Sequence, residues 1–208
     1  MTLTSNHVTI APVVEGHGDA KAVPFLLRRI AHDLGIYELT ICPPQRVSRS
    51  TLGTEAGLMS AVRQASYRVD GLGGVLVLFD ADDDCPVDLV GRLLDPARKA
   101  CAGKNLGLVV AEKEFESWFL AAAPSLAGRG GLPDNFGYDG NPQAKRDAKG
   151  VVDQAMRSGP ERHKYSETVD QARLATLFDM EMARRGAPSF DKLWREVEAL
   201  CRPVPPRP

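Results

Sequence analysis

Apolar residues alternate with polar segments along the chain in a way that separates strands from helices. Val8 to Val14 reads as a first strand, although Pro12 inside it argues for an edge, a bulge or a later start. A tight loop of Glu15, Gly16, His17, Gly18 and Asp19 follows, and Asp19 is placed to cap a helix with Pro24 in its first turns. Val23, Leu26, Leu27, Ile30 and Leu34 fall on one face of that helix, and Gly35 stops it. Leu39 to Cys42 makes a short second strand, ended by Pro43 and Pro44, and Leu58, Met59, Val62, Ala65 and Val69 mark a second helix. Gly73 and Gly74 lead into Val75 to Phe79, a run apolar at every position, as suits a parallel strand covered on both faces. Val90, Leu93, Leu94 and Ala97 give a third helix, and Leu106 to Ala111 gives another all-apolar strand. The texture changes after Ala123. Residues 124–143 are rich in Gly, Pro, Asn and Asp and read as a loop, before helical patterns return. The last helix carries Phe190, Leu193, Trp194, Val197 and Leu200, with Ser189 as its N-cap.

Strands that alternate with helices predict an α/β fold. The sheet is expected to be largely parallel, of about four strands flanked by helices, with a helical C-terminal extension. The division expected is a core over 1–123, a loop and helical extension packed on it over 124–202, and a proline-rich tail over 203–208. In such sheets ligands bind beyond the C-terminal ends of the strands. Three acidic segments begin there: Glu15, then Asp80 to Asp84, then Glu112, Glu114 and Glu116.

If the backbone after the strand stays extended, Asp80, Asp82 and Asp84 point the same way, spaced about 6.6 Å apart. Two carboxylates roughly 5 Å apart repel by about 3 kcal/mol at an effective dielectric near 20. A hard divalent cation, Mg²⁺ or Mn²⁺, relieves that repulsion through oxygen ligands. The bland alternative is a solvated acidic turn, with Asp84 capping the next helix ahead of Pro86. Gly16 and Gly18 let the backbone turn tightly or approach a phosphate. The endings of a Walker loop and of a dinucleotide fingerprint are both missing. His17 reads as an exposed loop histidine, and Phe115, Trp118 and Phe119 as core.

Net charge is −1 over 208 residues, so no global cationic field draws the chain onto nucleic acid or an anionic membrane. Residues 129–164 hold seven Lys or Arg against five Asp or Glu, densest at Lys145, Arg146 and Lys149. Lys149 is the first choice for a phosphate contact, with Lys145 behind it. Four cysteines without a CxxC pair suit reduced thiols better than zinc or disulfides. With neither a signal peptide nor a long apolar run, a cytoplasmic protein that does not enter the membrane is expected.

The order Val-Val-Glu15-Gly, then Leu-Phe-Asp80-Ala-Asp82-Asp-Asp84, resembles the Toprim domain of topoisomerases, primases and OLD-type nucleases. The stretch from Glu112 to Trp118 is similar to the acidic segment of small stand-alone bacterial Toprim-like proteins, which are often linked to mobile elements or phage defence beside an ATPase. Tyr165, Gln171 and the Ser189-Phe190 pair resemble the C-terminal part of the same proteins. The resemblance spans roughly residues 8–123. It implies that Glu15 acts as general acid/base or as a ligand to a second metal, and that Asp80 and Asp82 are the principal Mg²⁺ ligands. Asp84 would support them, and Glu114 or Glu116 would complete a second site. Two ions about 4 Å apart would then drive phosphodiester hydrolysis. The substrate implied is DNA rather than RNA, with an ATPase as a possible partner protein.

Two other readings stand beside this metal-dependent nuclease. One is a Toprim-like subunit that binds metal or nucleotide for an ATPase without turnover. The other is a phosphatase of the haloacid dehalogenase type with Asp80 as nucleophile, in which Glu15 would have no role. A calcium EF-hand loop is excluded, because Cys85 stands in place of the turn glycine and Gly91 in place of the bidentate glutamate.

Overall fold

A computed structural model describes residues 7–144 and 147–202. Five strands, β1 (Val8–Val14), β2 (Leu39–Ile41), β3 (Gln45–Arg46), β4 (Leu72–Asp80) and β5 (Asn105–Ala111), form one sheet in the order β2-β1-β4-β5. β3 pairs with β1 beyond the end of β2, and every pairing is parallel. Helix α1 (His17–Asp33) connects β1 to β2. α2 (Arg49–Leu52) and α3 (Glu55–Ser66) lead into β4, and α4 (Pro86–Ala100) leads into β5. After β5 come α5 (Ser117–Ala121), α6 (Ala123–Leu126), α7 (Ala148–Ser158), a π-helix (Glu167–Gln171), α8 (Ala172–Ala175), α9 (Met180–Gly186) and α10 (Pro188–Leu200). The α/β class and the parallel sheet flanked by helices are as the pattern predicts. The two-residue β3 and the single turn of α2 carry too little periodicity to be read from sequence.

Alternation along β1 and β4 sends side chains to two apolar layers. Val8, Ile10, Val14, Leu76 and Leu78 pack with α1 and α10 on one face. Ala11, Val13, Val75, Val77 and Phe79 pack with α3 and α4 on the other. This double burial explains why β4 is apolar at every position. Among the described residues no helix is long and apolar enough to cross a membrane, and Cys42, Cys85, Cys101 and Cys201 are free.

Pro12 lies inside a central strand, neither at an edge nor at a bulge. Even-numbered residues of β1 turn their polar backbone toward β2 and β3. The Val8 amide donates to Glu38 O at 2.9 Å, Ile10 O accepts from the Cys42 amide at 2.9 Å, and Val14 O accepts from the Val47 amide at 2.9 Å. Pro12 is the even position between them. Its missing N–H falls where β2 has ended and β3 has not begun, so no ladder bond is lost.

Ser189 is not the N-cap of the last helix. That place belongs to Ala187, ahead of Pro188, and the Ser189 hydroxyl instead accepts from Trp118 Nε1 at 2.8 Å and from Gln143 Nε2. A proline in the first turn already suits the helix start, which leaves the buried serine to satisfy the indole.

Gly73 has φ +123°, and a Cβ there would lie 2.0 Å from Thr9 O in the neighbouring strand. Gly73→Ala is expected to destabilise the fold by at least about 2 kcal/mol, from backbone strain together with separation of β1 from β4. Urea unfolding followed by circular dichroism checks this, and an unchanged midpoint would contradict the close approach.

Candidate active site

β1 and β4 are adjacent, yet the chain leaves β1 toward β2 on one side and returns to β4 on the other. Their C-terminal ends therefore flank a topological switch point, the crevice where ligands bind in open parallel sheets. Val14 stands opposite Leu78 in the ladder, so Glu15 emerges beside the end of β4, where Asp80 is the last strand residue. These two carboxylates line a cavity of about 240 Å³. Asp82 joins them, and the opening turn of α1 contributes Gly16, Gly18 and Asp19. Glu114, Phe115 and Glu116 come from the segment after β5, Lys149 from α7, and Glu167 and Gln171 from the π-helix. Among the described residues, seven carboxyl groups and one ammonium group thus line the same space.

The acidic run after β4 does not stay extended. Ala81 continues the ladder by donating to Ala111 O at 2.9 Å, and the Asp82 amide reaches Lys113 O at 3.2 Å. Asp82 then takes φ +53°, a left-handed conformation that aspartate tolerates better than most residues. The Asp84 amide turns back to Ala81 O at 3.0 Å. The turn keeps Asp80 and Asp82 at the cavity and carries Asp84 out of it. Asp84 Oδ2 instead accepts from Arg49 Nη2 at 2.5 Å, and α4 is capped by Cys85 rather than by Asp84. Arg49 also donates to Ala81 O at 3.3 Å, lies 3.7 Å from Asp82 Oδ2 and stacks its guanidinium 5.1 Å from the centre of the Phe79 ring. It clamps the whole turn, and no motif marked it in the sequence.

Like charges and burial act together on the floor of the cavity. Burial raises the Asp80 carboxyl well above its ordinary range, and Asp19, Glu116, Glu15 and Asp82 push the same way. Glu15 is raised as well, first by burial. The Asp80 backbone amide and Arg49 oppose that rise, while Asp82 and Asp19 add to it. Glu15 Oε2 is buried without a hydrogen-bond partner. An orphaned carboxylate oxygen among mutually repelling carboxylates is the donor set that a hard divalent cation fits. Among the described residues no three Asp, Glu, His or Cys side chains are already gathered into a ligand set. The carboxylates line the cavity without converging on one point.

The remaining acidic residues have distinct surroundings. Glu112 is not part of the lining. Glu114 accepts from the Asp147 amide at 3.2 Å and the Lys149 amide at 2.9 Å, so its carboxylate rests on the N-terminus of α7, where the helix dipole favours negative charge. Glu116 is only 4 % exposed, and the Tyr165 hydroxyl donates to its Oε1 at 2.9 Å. Burial raises its pKa to about 7, against the opposing effect of that hydrogen bond and of Lys149. Lys149 pairs its ammonium with Glu167. Lys145 and Arg146 lie outside the described residues. His17 is exposed in the first turn of α1, away from the lining. Phe115, Trp118 and Phe119 belong to an aromatic cluster with Phe178 and Phe190, as core residues.

Sequence reasoning missed three lining residues, Asp19, Glu167 and Gln171. Asp19 had a sufficient explanation as a helix cap, and it does close back on the Gly16 amide at 2.8 Å, from the third helical position rather than as the N-cap. Glu167 and Gln171 are polar residues far along the chain, and nothing in their spacing ties them to β1.

Glu116 generates a pH prediction for the metal-free protein. An unfolded glutamate titrates near 4.5, whereas the folded carboxyl holds its proton up to about 7. The folded state therefore binds more protons in that window and loses stability as pH rises through it, by roughly 3 kcal/mol in all. In EDTA, Glu116→Gln should flatten the fall in stability between pH 4.5 and 7. Chemical unfolding at a series of pH values measures this, and a slope equal to that of the wild type would show that Glu116 ionises normally.

Over residues 14–198 the sequence matches a family described as a domain of unknown function, DUF4276, and the chain belongs to that family. No curated protein matches it. Among solved structures, the C-terminal region of the Burkholderia pseudomallei OLD protein aligns with 93 % of this chain and 98 % of its own, at 13 % identity and a TM-score of 0.46.

Proposed function

We propose that this chain is a metal-dependent phosphodiesterase that acts on nucleic acid, with Mg²⁺ or Mn²⁺ as its ion and DNA as the first substrate to test. The observation that carries the reading is the meeting of Glu15 and Asp80 at the switch point of a parallel sheet, with Glu15 Oε2 buried and unpartnered. The order of Glu15, Asp80 and Asp82 resembles the acidic signature of Toprim domains, which points to the same chemistry.

In this proposal Glu15, Asp80 and Asp82 hold the ion, and Asp19 adds a carboxylate from the first turn of α1. When bound, the ion supplies Lewis acidity and positive charge against a phosphodiester. Lys149 supplies an ammonium group to the lining, suited to a phosphate oxygen once Glu167 yields it. Glu114 orients Lys149 by fixing the first turn of α7 through two backbone amides. Arg49 holds the turn that carries Asp82, so Asp84 contributes by anchoring that clamp. Glu116 is a proton-holding wall of the cavity near neutral pH, and a ligand only when deprotonated. With a net charge of −1, affinity for a polyanion has to come from the ion and from local groups such as Lys149.

The test is to incubate the purified protein with supercoiled plasmid, single-stranded DNA and RNA in Mg²⁺, Mn²⁺ or EDTA. Cleavage should require metal, and Asp80→Ala and Glu15→Ala should each lower it by at least about 100-fold with the fold intact, the scale of losing charge stabilisation in a transition state. Cleavage at the wild-type rate by both variants would refute the mechanism. Metal binding without cleavage, alone or with a partner ATPase, would leave a binding subunit. A phosphorylated Asp80 would indicate a phosphatase instead.

A further inference from the structure

We infer that Gln171, packed against the opening turn of α1, is a positioning residue that sets the Glu15–Gly16 turn by acting through Asp19. Gln171 ends the π-helix and is 2 % exposed. Its Nε2 donates to Asp19 Oδ1 at 2.7 Å, and Asp19 Oδ2 accepts from the Gly16 amide at 2.8 Å. One carboxylate thus bridges a side chain late in the chain to the backbone that immediately follows Glu15. Each of its oxygens has a fixed donor, so rotation of Asp19 would break one bond or the other.

A separate steric observation shows how closely the two elements are fitted. A Cβ on Gly18 would lie 1.8 Å from Gln171 Oε1 and 2.9 Å from Glu167 Cβ. Only glycine at position 18 lets the π-helix approach the opening turn of α1 closely enough for the Gln171 amide to reach Asp19. The π-helix is a rare element that is frequently found at functional sites. Here Glu167 and Gln171, four residues apart, both face the cavity.

The chemistry of the amide suits this place. Seven carboxyl groups already face the cavity, so a cation at position 171 would compete for the charge that is proposed to hold a metal, and an anion would repel Asp19. A neutral donor fixes Asp19 without altering the charge of the site. The consequence for ion affinity rests on the metal-site reading, whereas the geometry of the turn does not.

The experiment uses the full chain and measures amide hydrogen exchange by NMR in EDTA, with the Val75 to Leu78 amides of β4 as an internal reference. Gln171→Leu should speed exchange of the Gly16 amide by about tenfold or more, the factor corresponding to a hydrogen bond to a charged group, while the β4 amides keep their protection. Gln171→Glu should do the same by setting two carboxylates against each other. Adding Asp19→Asn to Gln171→Glu restores one donor between the two side chains, and the Gly16 amide should regain its protection. Unchanged Gly16 exchange in Gln171→Leu overturns the inference. Failure of the double variant to restore protection also overturns it, and decides the matter if a single variant loosens the whole fold. Titration with Mn²⁺ alone, followed by electron paramagnetic resonance, separates the two readings. Binding about tenfold weaker in Gln171→Leu supports both. A wild-type protein that binds no Mn²⁺ removes the metal site and leaves the Gly16 amide to judge the relay.

Discussion

Seven residue pairs hold β1 against β4 in parallel, from Val8 with Leu72 to Val14 with Leu78, and the geometry of the cavity depends on that ladder. The register brings Glu15 out beside the end of β4. The chain runs from β1 to β2 on one side and from β4 to β5 on the other, which opens the crevice between the two strand ends. Two residues inside the ladder accommodate unusual demands. Pro12 turns its missing N–H to the side where β2 has ended and β3 has not begun, and Gly73 lets the backbones of the two strands come closer than any side chain would permit. The apolar layers on both faces keep the pair from sliding, since a slip of one residue would send every side chain to the opposite layer, where it no longer fits its neighbours.

The cavity concentrates negative charge against the preference of a low-dielectric interior. Different contacts make this tolerable at each place. Glu114 rests on the N-terminal amides of α7, and Tyr165 donates to Glu116. Asp19 is held by Gly16 and Gln171, and Arg49 draws Asp82 and Asp84 toward Phe79. Glu15 and Asp80 lie at the centre with the least compensation, and their carboxyls are raised accordingly. The contacts fix the surrounding acids and leave the central pair as the part of the cavity most open to an added positive charge, which is what the proposed metal site rests on.

The main strands and the three acidic segments were legible because each rests on a local pattern. A run of apolar residues long enough for one strand, followed at once by acid, places that acid at the C-terminal end whatever the strand order. That reasoning succeeded for Glu15 and Asp80. It failed one step later, where extended backbone was carried past the end of β4. Asp82 is left-handed and Asp84 lies outside the cavity, where the Asp84 amide turns back to Ala81 O and Arg49 pairs with the Asp84 carboxylate. Ser189 failed for a related reason. It has the chemistry of a cap, but a buried indole needed its hydroxyl more.

The sequence by itself determined the α/β class, the parallel character of the sheet, the extent of the main strands and the pairing of strand ends with acid. These depend on side-chain periodicity over a few residues, and neighbouring residues in the chain are neighbours in space. Only the tertiary structure decided that β1 and β4 are adjacent, that Arg49 clamps the turn after β4, and that Glu167 and Gln171 meet Asp19. Gln171 and Asp19 are 152 positions apart and joined by a single hydrogen bond, so no local periodicity contains the contact. It exists because α1 and the π-helix pack together around a glycine, and that packing is a property of the whole folded chain.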